Sequence, residues 1–146
     1  MKVREIMTKG VKTVSPDDVV QRAAEIMKSV DCGSVPVTEG GRVVGIVTDR
    51  DIVVTAVAAG KDPHTPVRFC MTDSVITIGG DKEAQAAADF MAEYQVRRLP
   101  VVEDGRLVGI LAIADLARQN IFVSESGKAL SEISEPNRHA NRVPAH

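Results

Sequence analysis

The feature that most constrains this chain is a repeat. Residues 41–52 read Gly-Arg-Val-Val-Gly-Ile-Val-Thr-Asp-Arg-Asp-Ile, and residues 105–116 read Gly-Arg-Leu-Val-Gly-Ile-Leu-Ala-Ile-Ala-Asp-Leu. Gly41 and Gly105 are 64 residues apart, and so are Asp51 and Asp115. A chain that states one pattern twice is built from two copies of one supersecondary unit. A unit of about sixty residues buries little apolar surface alone. Two half-units sharing one core are therefore expected in these 146 residues.

Read in order, the first copy opens with a short helix over residues 3–8, echoed at 67–72, where Thr65-Pro66 offers a cap followed by proline. A short apolar strand follows, 11–14 in one copy and 75–78 in the other. Ser15-Pro16-Asp17-Asp18 then carries cap, proline and acidic first turn together, which predicts a longer helix from this point. Its apolar positions Val19, Val20, Ala23, Ile26, Met27 and Val30 recur at helical spacing. The second copy starts its helix near Gly80-Asp81 and holds Ala84, Ala87, Ala88, Phe90 and Met91.

The next strand spans 34–38 or 98–102, each with a proline inside it, Pro36 or Pro100. Glu39-Gly40-Gly41 and Glu103-Asp104-Gly105 are hairpin turns. They lead to nearly all-apolar strands over 43–47 and 107–111, expected to be the most buried. A second helix closes each copy, about 49–59 and 113–120, with Gly60 as a stop and 61–66 as linker. The β-α-β portion predicts a parallel pair and the hairpin an antiparallel one, so each small sheet is mixed and the fold class is α+β. Helices should cover one face of each sheet, and the sheets should face one another. The expected boundaries are 1–62, 63–120 and a tail over 121–146. In the tail only 125–133 has helical character, and Pro136 onward has tail composition.

The composition, 44% hydrophobic and 26% charged, is that of a soluble globular protein. A net charge of −2 with interspersed signs gives no electrostatic footprint for nucleic acid or an acidic membrane. No apolar run is long enough to span a bilayer, and the N-terminus has no signal core. The expected compartment is the cytoplasm. Cys32 and Cys70 form no CxxC pair. A shift of 64 places them over Val96 and Ile6, so they read as small buried hydrophobes, with a redox bridge as the alternative. His64, His139 and His146 are scattered, and Asp49-Arg50-Asp51 has no further ligand at useful spacing, so no metal site is expected. There is no catalytic triad spacing, P-loop or dinucleotide fingerprint. The chain does not read as an enzyme.

The doubled Met-Thr helix ends, the Ser-Val-Pro-Val and Arg-Leu-Pro-Val strands, and Gly-Ile-Val-Thr-Asp-Arg-Asp-Ile together resemble a pair of CBS domains, a Bateman module. The resemblance covers residues 1–120 and is to bacterial two-CBS proteins, hypoxia- or stress-associated ones among them. It implies a pseudo-twofold pair with two clefts between the repeats that bind AMP, ADP or ATP as a regulatory ligand. It also implies a homodimer and a regulated partner protein, with no required cofactor. The implied lining residues are Val11, Thr13, Val35, Pro36, Thr48 and Asp51 together with Ile76, Arg97, Arg98, Pro100 and Asp115. The Thr48 hydroxyl would meet phosphate or ribose, and the Asp51 carboxylate the ribose hydroxyls.

The residues themselves leave a second reading open. Thr48 and Asp51 stand where a buried strand turns into a helix, an end attractive to phosphate, but Thr-x-x-Asp is also close to a capping box. In the second copy Ala112 replaces Thr48 while Asp115 keeps the carboxylate, which leans toward the ribose role and departs from the family pattern. Arg97 and Arg98 offer fork-shaped donors suited to phosphate oxygens, or are two solvated arginines. The first copy has Gly33 and Ser34 at their places. The class that competes with nucleotide sensing is a ligand-free CBS scaffold serving dimerisation.

Overall fold

Each copy of the repeat is built on one hairpin. The computed structural model describes residues 1–119 and Val123–Ser134. Strand β1 (Ser34–Glu39) pairs antiparallel with β2 (Arg42–Thr48), in the register Val35 with Val47. In the second copy β4 (Arg98–Glu103) pairs with β5 (Arg106–Ala112), Leu99 with Leu111. Both central turn residues have positive φ, Gly40 and Gly41 in one hairpin and Asp104 and Gly105 in the other. That is the condition for a turn whose twist matches its strands. The register slips at the same place in both hairpins, between Val37 and Thr38 and between Val101 and Val102.

The expected parallel strand is shorter than the sequence suggests. In the second copy it is β3 (Ile78–Gly79), pairing with Val101 and Val102. In the first it is a single bridge from Val14 to Val37. There the Pro36 carbonyl accepts from the Val14 N–H at 3.2 Å, and Thr38 N donates to Val14 O at 2.8 Å. Pro36 has no N–H to offer that edge, which limits how far the pairing can extend.

Helix α1 (Val3–Ile6) forms as expected, but its echo is only a 3-10 turn, Val67–Phe69. The long helices start later than the cap signals indicate, α2 at Val20–Val30 and α4 at Ala84–Tyr94. Ser15 and Asp18 instead close a separate turn, Ser15 N to Asp18 Oδ2 at 2.8 Å and Asp18 N to Ser15 O at 3.1 Å. The free N–H groups at the helix starts go to backbone carbonyls of a neighbouring segment: Val20 N to Thr65 O, Gln21 N to Pro63 O and Ala84 N to Met1 O. Thr65 likewise gives its hydroxyl to Asp62 O and does not cap the 3-10 turn. Both helices end on a left-handed residue, Asp31 or Gln95.

The closing helix of the first copy is two windings. Helix α3 (Asp49–Ile52) runs into a π-helical stretch, Val53–Val57, ended near Gly60 at φ 72°. The Thr55 hydroxyl takes the Asp51 carbonyl where the winding widens, the kind of side-chain competition that disturbs a helical ladder. The second copy has α5 (Ile113–Ala117).

Two compact units result, and their boundaries are not those of the repeats. One is continuous, Lys12–Val75; the other joins Met1–Val11 to the chain from Ile76 onward. Each repeat's opening segment therefore completes the other repeat's unit. Thr8 bonds both ways with Ile110, at 2.9 and 3.0 Å, and Thr72 both ways with Ile46 at 2.9 Å. These crossings lie over Gly45 and Gly109. A Cβ at Gly109 would stand 2.8 Å from Thr8 O and 2.5 Å from Met7 Sδ, and one at Gly45 2.9 Å from Thr72 O and 2.8 Å from Met71 Sδ. Only glycine allows so close a backbone approach.

The core of the continuous unit gathers Val14, Val20, Ala23, Ile26, Val35, Val37, Val47, Ala56 and Val67. Cys70 is buried in it and Cys32 packs against it; both are free thiols. The other core gathers Val3, Ile78, Ala84, Ala87, Met91, Leu99, Val101, Leu111 and Leu116. Helix α6 (Val123–Ser134) packs on α4 and α5 and adds Ala129 to that core, while Gln95 Nε2 donates to Glu132 O at 3.0 Å. The tail segment thus forms three turns, more than its composition suggests. The expectation for Pro136 onward lies outside the described residues.

Candidate functional site

The doubled motif places one strand-to-helix corner in each unit. In the first, Thr48 ends β2 with a buried side chain and Asp51 stands in the first turn of α3. Thr48 N donates to Asp51 Oδ2 at 2.9 Å, and Asp51 N to Thr48 Oγ1 at 3.0 Å. This is a reciprocal capping box. The box uses one carboxylate oxygen, so Oδ1 stays outside it. Asp49 N donates to Gly33 O at 3.0 Å and ties the corner to the residue before β1.

The second corner keeps half of that arrangement. Ala112 N donates to Asp115 Oδ2 at 2.8 Å, but alanine has no hydroxyl to return the bond. A structural reason for an aspartate therefore survives without its threonine, which weakens the argument that Asp115 was kept for ribose. Asp115 is only 5% exposed, and its Oδ1 pairs with Arg118 Nη2. Arg118 escaped the motif reading. The signal was available in its position three residues beyond Asp115, a spacing at which helix side chains meet.

The remaining residues divide between the units. Arg98 is paired with Ala112 across β4 and β5, and the Arg97 carbonyl accepts from Ile113 N at 2.9 Å, so both arginines flank the Asp115 corner. Ser34 holds the corresponding register place beside Thr48. Thr13 accepts from the Thr38 hydroxyl at 3.3 Å on the edge of β1. Val35, Pro36 and Pro100 are buried strand residues paired with Val47, Ile46 and Ile110. Ile76 packs against the core that holds Leu111, and Val11 ends the opening segment of that same unit. Within each unit, the site residues that meet directly are Thr48 with Asp51 and, through backbone, Arg97 and Arg98 with the Asp115 corner.

Among the described residues no group of three or more His, Cys, Asp or Glu side chains could hold a metal ion. No helix among them is long and apolar enough to cross a membrane.

Comparison with known proteins bears directly on the repeat. The family model described as the CBS domain matches residues 3–57 and again 67–120. The CBS domain-containing protein YhcV of Bacillus subtilis is 40% identical over 137 residues, covering 94% of this chain and 98% of that protein. The crystal structure of Hypoxic Response Protein I with two coordinated zinc ions superposes with a TM-score of 0.75 at 36% identity, over 82% of this chain and 98% of that one. A CBS domain protein of Pyrobaculum aerophilum complexed with AMP has a TM-score of 0.77 at 24% identity, a likeness of fold, over 87% of this chain and 98% of that one. With its 64-residue repeat and paired hairpins matched twice by one family, the chain belongs to the CBS-domain family and carries a tandem pair of its domains.

Proposed function

We propose that this chain is a regulatory, non-catalytic module that senses an adenosine nucleotide, AMP, ADP or ATP, and responds by changing its self-association as a homodimer or its hold on a partner protein in the cytoplasm. The carrying observation is the Asp51 corner. The carboxylate caps its helix through Oδ2 alone, and the half-buried side chain keeps Oδ1 and its lone pairs for ribose hydroxyls. The buried Thr48 hydroxyl accepts from Asp51 N and so holds the corner in shape for the ligand. The fold is the one that holds AMP in the Pyrobaculum protein. Binding of this kind acts by shifting a population of packing states and supplies no chemistry.

A second reading, a ligand-free scaffold, draws on the second corner, where Ala112 lacks the hydroxyl and Arg118 covers the carboxylate. A thermal-shift series with adenosine, AMP, ADP and ATP separates the two readings, because a ligand that binds only the native state raises its stability. Asp51→Ala should lose about 1.5–3 kcal/mol of ligand-induced stabilisation, the range for hydrogen bonds to charged groups. An unchanged ligand shift in that variant returns Asp51 to capping alone. Replacing Arg97 and Arg98 with Ala should flatten the preference for AMP over adenosine and its salt sensitivity. A double variant that keeps the wild-type margin removes the phosphate role from these arginines.

A further inference from the structure

The two corners differ in what already occupies the aspartate. Asp51 Oδ1 is left outside its capping box, whereas both oxygens of Asp115 are engaged, Oδ2 by Ala112 N and Oδ1 by Arg118. The position 64 residues before Arg118 is Val54, which cannot form such a pair. We infer that Arg118 is an internal competitor for the ligand at the second corner, so that this corner discriminates nucleotides from nucleosides and fills after the first. The inference rests on the nucleotide reading of the preceding section.

The chemistry follows from which groups can trade places. A ribose hydroxyl approaching Asp115 must displace a guanidinium, and a hydroxyl is the weaker partner for a carboxylate. A nucleoside has nothing to offer the displaced cation. A nucleotide brings its own anion, and a guanidinium fork matches phosphate oxygens as well as it matches a carboxylate. The Arg118 side chain is 69% exposed while Asp115 is buried, so the arginine can swing outward and the carboxylate cannot. Arg97 and Arg98 flank the same corner and add donors for the same phosphate. The first corner has Gly33 and Ser34 at those places and no counterpart of Arg118, so it takes the nucleoside part with less dependence on phosphate.

Calorimetric titration of the full chain with adenosine and with AMP tests this. The wild type should bind one equivalent of adenosine and two of AMP with unequal affinities. Arg118→Val should admit a second equivalent of adenosine, with affinity at that corner raised at least about tenfold. Arg118→Lys, which keeps the charge, should stay at one. Two equal adenosine sites in the wild type, or a single one in Arg118→Val, overturn the inference while leaving the nucleotide reading in place. A ligand-free measurement checks the pair itself. In the wild type the Arg118 guanidinium protons, followed by 15N NMR, should exchange with solvent more slowly than those of an unpaired exposed arginine, and equally fast exchange overturns the pairing. If no variant binds AMP or adenosine although the guanidinium protons are protected, the nucleotide reading fails and the competitor role with it, leaving Arg118 as a structural clasp.

Discussion

The two units are the same hairpin solved twice with different finishing. The continuous unit has the full capping box of Thr48 and Asp51, a π-wound closing helix and exposed valines at 53, 54 and 57. The other unit has half a box, a short regular α5 and an added helix, α6, over α4 and α5. Ala88 is buried there, and its counterpart Ala24 is exposed. The hairpin register, the bulge and the glycine crossing do not change between them. The parts held constant are the hairpin and its glycine crossing, and the parts that vary are the opening turn, the parallel edge, the closing helix and the side chains around the aspartates. The hairpin and its crossing are the same in both copies, whereas the two corners differ.

The largest test of that division is at the glycines. Gly109→Ala drives a methyl into Thr8 O and Met7 Sδ, and should cost about 3 kcal/mol, the upper part of the overpacking range. Gly45→Ala should cost somewhat less, since its crossing is slightly wider. Amide hydrogen exchange locates each loss: Gly109→Ala should expose Thr8 and Ile110, and Gly45→Ala should expose Ile46 and Thr72. Equal loosening of all four amides in both variants would break the picture of two units that each close on their own crossing.

A smaller effect comes from exchanging the corners. Thr48→Ala removes the hydroxyl that accepts from Asp51 N and should destabilise by about 1 kcal/mol. Ala112→Thr should return roughly half of that to the second corner, because Asp115 already supplies its half of the box. Urea midpoints measure both, and no gain from Ala112→Thr would mean that the added hydroxyl does not accept from the Asp115 N–H.

The smallest effect is in the linker, a feature with no counterpart in the second copy. The Asp62 carboxyl is held below its ordinary value by the His64 backbone N–H and then by the His64 ring. A depressed folded value means that the turn's contribution is fully present above about pH 3.9 and is lost as pH falls through the folded value. In a melting-temperature series Asp62→Asn should sit slightly below the wild type near neutrality and converge with it in acid, where the wild type has lost the same contribution.

Much of this was legible in the sequence because the repeat supplies its own alignment. Hairpin turns, strand prolines and the glycine stop at 60 follow from local chemistry and stand where expected. The helix starts were misplaced, since the sequence shows Ser15 and Asp18 as caps while the actual caps are carbonyls of Thr65, Pro63 and Met1. No local pattern reveals a cap delivered by distant backbone. At the site, Thr48 and Asp51 were visible as a motif, but the competing use of Asp115 was not, because Arg118 carries no motif of its own. The exchange of opening segments was likewise hidden, since both copies read alike whichever partner each segment joins.

That exchange sets an order of events as the chain leaves the ribosome. The segment Lys12–Val75 contains every strand and helix of its unit, so it can close as soon as Val75 has emerged. Val3, made well before them, has to wait for the Leu99, Leu111 and Leu116 side chains with which it shares a core. Through that interval the opening segment leaves the apolar side chains of Val3 and Ile6 without their core. Contacts that span nearly the whole length of a chain are slow to form, and apolar surface left open during synthesis is what chaperones bind. The last step of folding in that unit is the capture of a segment made long before the rest of it.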